Sequence, residues 1–76
     1  MSLGTRISSM RGYNRLTQEQ LGGLVGVTKQ TISNWEHDYR MPDADDLRRL
    51  CGTLGCTADY LLELADNPHE HRKIGW

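Results

Sequence analysis

Only three residues, Gly26-Val27-Thr28, separate two segments that each carry helical spacing. The first spans about Gln18 to Val25 and the second about Lys29 to Asp38. A connection that short, with a glycine free to take positive φ, makes two helices cross steeply. Leu21, Val25, Val27, Ile32 and Trp35 then converge on one small core, because they recur at helical intervals on the facing sides. Close approach also needs a small residue on the first helix, and Gly22 occupies that position. Gly23 has no comparable reason to be there, and a glycine inside a helix costs about 1 kcal/mol relative to alanine.

The same start signal recurs along the chain. An apolar residue precedes a Thr or Asp, and a second apolar residue follows four positions after it. The sets are Leu16/Thr17/Leu21, Val27/Thr28/Ile32, Pro42/Asp43/Leu47 and Cys56/Thr57/Leu61. Each matches a helix N-cap with a hydrophobic staple, and Thr17 with Gln20 adds a capping box. Asp43, Asp45 and Asp46 crowd the start of the fourth helix, where the helix dipole favours acids. Gly26 and Gly55 are expected as left-handed C-caps. Before these, Leu3, Ile7 and Met10 form one stripe of a first helix over about Leu3 to Gly12, with Asn14 expected in the left-handed conformation of the following connection. The fifth helix is expected to run to Asp66, where Asn67-Pro68 stops it. No strand pattern appears. The expectation is an all-α, five-helix domain over residues 1–66 and a tail over 67–76. In that tail Ile74 and Trp76 are apolar, and the segment is either flexible or part of a dimer interface.

Bulk properties narrow the function classes. A chain of 76 residues with 25% charged and 37% apolar residues forms one small soluble domain. No apolar run approaches the roughly 18 residues of a membrane span, and the N-terminus lacks a signal-peptide core. A cytoplasmic protein is expected. Cys51 and Cys56 make no CxxC pair and are expected to be reduced and partly buried. His69-Glu70-His71 lacks a third ligand, so no metal site is expected. No nucleophile stands beside a base and no phosphate-binding glycine loop is present, so neither an enzyme nor a cofactor is expected.

The net charge of −1 conceals an asymmetry. Residues 1–40 carry Arg6, Arg11, Arg15, Lys29 and Arg40 against Glu19, Glu36 and Asp38, whereas the remainder is acidic. An anion-binding face therefore belongs to the N-terminal half. With Ile32 and Trp35 buried, the opposite face of the third helix carries Lys29, Gln30, Thr31, Ser33 and Asn34, with His37 one turn further on. A merely solvated face would carry Glu/Lys pairs at i,i+4 spacing, and none occurs here. Gln pairs bidentately with adenine, Lys reaches guanine O6 and N7, and Thr touches the thymine methyl.

These residues give the chain a family resemblance. Thr17-Gln18-Glu19-Gln20-Leu21, Gly26 through Glu36, Pro42, Leu47, Leu54-Gly55 and Asp59-Tyr60-Leu61-Leu62 resemble the Cro/C1-type, XRE-like helix-turn-helix family of lambdoid phage repressors. Gly22 and Gly23 depart from it, since the family more often has Ala and a polar residue there. The resemblance implies a lambda-repressor-like bundle with helix 28–38 as the recognition helix. Gln18 would bind phosphate together with its helix N-terminus. Thr28, Lys29, Gln30, Thr31, Ser33, Asn34 and His37 would face bases or flanking phosphates, and Tyr39 and Arg40 would grip the backbone. It further implies a structural ion pair between Arg11 and Glu36. A homodimer through Cys56, Thr57, Ala58 and Tyr60 would act on a palindromic operator. The implied function is sequence-specific binding of double-stranded DNA by a transcriptional regulator, usually a repressor, with no small-molecule ligand. Phage repressors and restriction–modification controller proteins share this pattern, and an antitoxin-like or adaptor module on the same fold is the alternative.

Overall fold

A computed structural model describes residues 2–72. Five helices follow one another: α1 (Leu3–Tyr13), α2 (Gln18–Val25), α3 (Lys29–Glu36), α4 (Ala44–Leu54) and α5 (Ala58–Leu61). Each of the five N-cap side chains accepts the backbone N–H three residues on: Ser2 from Thr5, Thr17 from Gln20, Thr28 from Thr31, Asp43 from Asp46 and Thr57 from Tyr60. Capping boxes close α2 through Gln20 and α4 through Asp46. Gly26 (φ 78°) and Gly55 (φ 71°) end α2 and α4 in the left-handed region, where a Cβ is strained.

The helices pack α2 on α3, α1 on α3, α2 on α4, and α5 against both α1 and α4. The shared core holds Ile7, Met10, Leu21, Val25, Ile32, Trp35, Leu50, Leu54, Cys56, Tyr60 and Leu61. Two glycines set the close approaches. A Cβ on Gly22 would lie 2.7 Å from the Val27 carbonyl oxygen, so α2 meets the turn backbone directly. A Cβ on Gly4 would lie 2.6 Å from the Glu36 carbonyl oxygen, so α1 seats against the end of α3. Gly23 is exposed and a Cβ there would meet nothing within 4 Å, so packing does not require it.

Three helix ends differ from expectation, each because of a contact distant in sequence. Asn14 is not left-handed (φ −85°); Arg15 is (φ 58°). The Asn14 side chain instead donates to the carbonyls of Met10 at 2.8 Å and Leu54 at 3.0 Å, tying the end of α1 to the end of α4. The third helix stops at Glu36 and not at Asp38. Asp38 turns left-handed (φ 60°) and its carboxylate accepts the Gly4 N–H at 3.0 Å. The fifth helix is a single turn and does not reach Asp66. Buried Arg6 donates from Nη1 to the carbonyls of Tyr60 at 2.7 Å and Ala65 at 2.6 Å, and Glu63 turns left-handed (φ 66°) to bring Ala65 round. Residues 67–72 then fold back over the start of α5. Thr57 donates from N to Pro68 O at 2.8 Å and from Oγ1 to Glu70 O at 2.7 Å, and Arg72 N donates to Asp59 at 2.7 Å. Ile74 and Trp76 lie outside the described residues.

The two adjacent glycines of α2 should respond oppositely to a methyl group. Gly22→Ala is expected to destabilise by about 1–3 kcal/mol through overpacking against the turn. Gly23→Ala is expected to stabilise by about 0.5–1 kcal/mol by restricting the unfolded chain and improving helix propensity. Urea unfolding of the two variants at neutral pH measures both.

Candidate nucleic-acid interface

The outward face of α3 is built by subtraction. Ile32 and Trp35 are buried, which leaves Lys29 and Gln30 exposed and Thr31, Ser33 and Asn34 half-buried on the other side. Thr28 caps the helix and shares its hydroxyl with that of Thr31 at 3.0 Å, so its oxygen already serves the fold. Gln30 Nε2 donates to Asn34 Oδ1 at 3.1 Å, one turn on. His37, Tyr39 and Arg40 continue the surface in the exposed loop after α3. The His37 ring lies with Nδ1 2.8 Å from the Ser33 carbonyl and stacks on Tyr39, with ring centres 5.4 Å apart. The backbone N–H groups of Tyr39 and Arg40 both turn back to the Asn34 carbonyl, which fixes the loop against the helix.

Glu36 is the acid closest in sequence to this face, and three hydrogen bonds occupy its carboxylate. Arg11 donates from Nε at 2.6 Å and from Nη2 at 3.1 Å, and Gln18 donates from Nε2 at 3.0 Å. The Glu36 side chain is only 6% exposed, so its charge is shielded from the surface as well as paired. The Arg11 guanidinium is held above its ordinary value by the hydrogen bond to Glu36, against an opposing effect of burial. Gln18 was expected as a phosphate contact; its amide nitrogen is committed to Glu36, and its oxygen and its place in the first turn of α2 remain. Arg11, Thr17, Gln18, Glu19 and Lys29 line an open concavity beside the first turns of α2 and α3. Unpaired N–H groups of helix N-termini beside cations favour an oxyanion there.

Away from this face, one arginine is buried and the acids of α4 are paired on the surface. Arg6 is buried and adds nothing to a surface field; it stacks over the Tyr60 ring at 4.4 Å. The sequence did contain a signal for this, since Arg6 lies three residues after Leu3 and four before Met10, on the apolar stripe. Asp45 and Asp46 in the first turn of α4 pair with Arg48 and Arg49. Of the four residues expected at a dimer interface, Cys56 and Tyr60 belong to the core, whereas Thr57 and Ala58 are half-buried. Cys51 and Cys56 are free thiols, and burial pushes Cys56 up to about 12. Among the described residues no group of three or more His, Cys, Asp or Glu side chains is placed to hold a metal ion. No described helix is long and apolar enough to cross a membrane.

Two packed helices joined by a three-residue turn, with a capped second helix, an acid-free outward face and a neutralised carboxylate behind it, define a helix-turn-helix protein. The chain belongs to the helix-turn-helix family of Cro/C1 type, whose model matches residues 10–61. It is 37% identical over 62 residues to the HTH-type transcriptional regulator ImmR of Bacillus subtilis, covering 82% of this chain and 49% of that protein. It is 38% identical over 61 residues to repressor protein C2 of Salmonella phage P22, covering 80% of this chain and 28% of that one. The chain thus spans half the length or less of these two curated relatives. In three dimensions it is similar to the P22 c2 repressor solved in complex with a synthetic operator. That match has a TM-score of 0.81 at 36% identity and covers 83% of this chain and 96% of the other.

Two consequences of the site's electrostatics are measurable. Arg11→Ala leaves Glu36 with one neutral donor and is expected to cost about 2–4 kcal/mol, with part recovered in the Arg11→Ala/Glu36→Gln double variant; chemical denaturation of the two compares them. Acid should also destabilise the fold. The Ser2 hydroxyl and the Gly4 N–H hold Asp38 below the ordinary carboxylate value, and the Asp46 N–H does so for Asp43. A depressed folded-state value contributes stability above the ordinary carboxylate range that is lost as pH falls through the folded value. Asp38→Asn and Asp43→Asn are each expected to flatten the acid limb of a stability-versus-pH curve.

Proposed function

We propose that this chain is a sequence-specific, double-stranded DNA-binding transcriptional regulator that acts as a repressor in the cytoplasm. The single observation that carries this is the α3 surface, which presents uncharged donors and acceptors and one lysine while Glu36 behind it is sequestered. A surface of that kind meets base edges without repelling phosphate.

In this reading α3 enters the major groove. Lys29, Gln30, Thr31, Ser33 and Asn34 meet base edges or the phosphates beside them, and Thr28 holds the helix start. Gln18, with the first turn of α2, receives a phosphate, and His37, Tyr39 and Arg40 meet the backbone. Two copies bind as a dimer, with recognition helices one helical turn apart, about 34 Å, on a palindromic site. The proposed contact includes half-buried Thr57 and Ala58, with Cys56 and Tyr60 supporting them from the core and residues 67–72 alongside.

Titration against duplexes selected from a random library, at several salt concentrations, tests the proposal. Lys29 and Arg40 are the cations beside the α3 face, so affinity should fall with a log–log salt slope of about −2 per protomer. Arg40→Ala should weaken all duplexes alike, and a changed base preference in that variant would remove Arg40 from the backbone contacts. Absence of binding to any duplex at low salt would sink the proposal.

A further inference from the structure

Gln30 and Asn34 sit one turn apart on the exposed side of α3, and the Gln30 amide nitrogen donates to Asn34 Oδ1 at 3.1 Å. That bond changes what Gln30 can read. A free glutamine amide has two N–H donors and one acceptor oxygen. With both donors it suits the two acceptors of guanine, N7 and O6; with one donor and the oxygen it suits adenine, N7 and the N6 amino group. Asn34 Oδ1 takes one of the two hydrogens. The two amides meet through the Gln30 nitrogen and the Asn34 oxygen; the reversed pair, with Asn34 Nδ2 on the Gln30 oxygen, would engage the acceptor and leave both donors, the guanine pattern. In the observed arrangement one donor and one acceptor of Gln30 remain, which is the complement of adenine and not of guanine.

Resting on the DNA-binding function proposed above, we infer that Asn34 is a positioning residue whose bond to Gln30 makes that side chain select adenine over guanine. Asn34 acts here through Gln30, and its selectivity comes from removing a donor.

The test is library selection with wild type, Gln30→Ala, Asn34→Ala and Asn34→Asp, each verified as folded by circular dichroism. The relevant position is the one at which Gln30→Ala relaxes base preference. There Asn34→Ala is expected to lower the adenine-to-guanine ratio about tenfold, chiefly by admitting guanine. Asn34→Asp retains an acceptor and should keep the ratio, while its charge lowers affinity for every duplex. In the Gln30→Ala background, Asn34→Ala should change nothing further at that position. An unchanged ratio in Asn34→Ala overturns the inference, as does an equal loss in the Gln30→Ala background, which would make Asn34 a direct reader. If Gln30→Ala relaxes no position, the inference fails while DNA binding stands. Absence of all duplex binding instead defeats the underlying function.

Discussion

The carboxylate of Glu36 is the interaction on which the rest of the site depends. An eight-residue helix has no stability of its own, so α3 takes its position from tertiary contacts. Ile32 and Trp35 anchor one side, Thr28 fixes the start, and Glu36 fixes the end by accepting from Arg11 of α1 and Gln18 of α2. A carboxylate near a helix C-terminus works against the macrodipole and would repel a phosphate if exposed. Pairing and burial remove both objections, and in doing so lock three helices together. Arg11 also donates to the Leu16 carbonyl at 2.9 Å, so one side chain orients the recognition unit and satisfies the chain entering α2.

Arg6 does the equivalent work at the other end of the molecule, with different chemistry. Among the described residues no carboxylate pairs with it and its Nε has no partner; two carbonyls and the face of Tyr60 surround it. A buried cation without a counter-charge is costly, and charge-assisted bonds to carbonyls offset part of that cost. The Ala65 carbonyl can reach Arg6 only if the chain leaves the helix after Leu61. The one-turn length of α5 therefore follows from a residue on α1. With Arg11 reaching α2 and α3 and Arg6 reaching the α5 loop, α1 serves as the spine that relates the helix-turn-helix half to the C-terminal half.

This division explains what could be read from the chain. Helix starts, capping boxes, the Gly26 and Gly55 ends and the role of Gly22 depend on residues a few positions apart, so their spacing carries the information. The end of α1 depends on Asn14 reaching Leu54, the end of α3 on Asp38 reaching Gly4, and the end of α5 on Arg6 reaching Ala65. Nothing in local spacing encodes those meetings, and each misplaced boundary coincides with one of them. The candidate site divides in the same way. The exposed face of α3 followed from which residues had to be buried. The hydrogen bond from Gln18 to Glu36 and that from Gln30 to Asn34 depend on side-chain directions that a sequence pattern does not specify.

A net charge of −1 then ceases to conflict with nucleic-acid binding. Asp45 and Asp46 pair with Arg48 and Arg49 on the surface of α4, and Glu36 is held by Arg11, so these acids are balanced where they stand and none of them lies bare at the α3 face. What remains at the α3 face is sparse in cations and dense in neutral donors and acceptors. Phosphate attraction is common to every duplex, whereas amides and hydroxyls of the kind that Gln30, Thr31 and Ser33 present are able to distinguish base edges. A binder with few cations holds random DNA weakly, and a larger share of its affinity has to come from contacts that depend on sequence. Under the proposed function, the modest charge beside α3 therefore favours discrimination between sites over attachment to DNA in general.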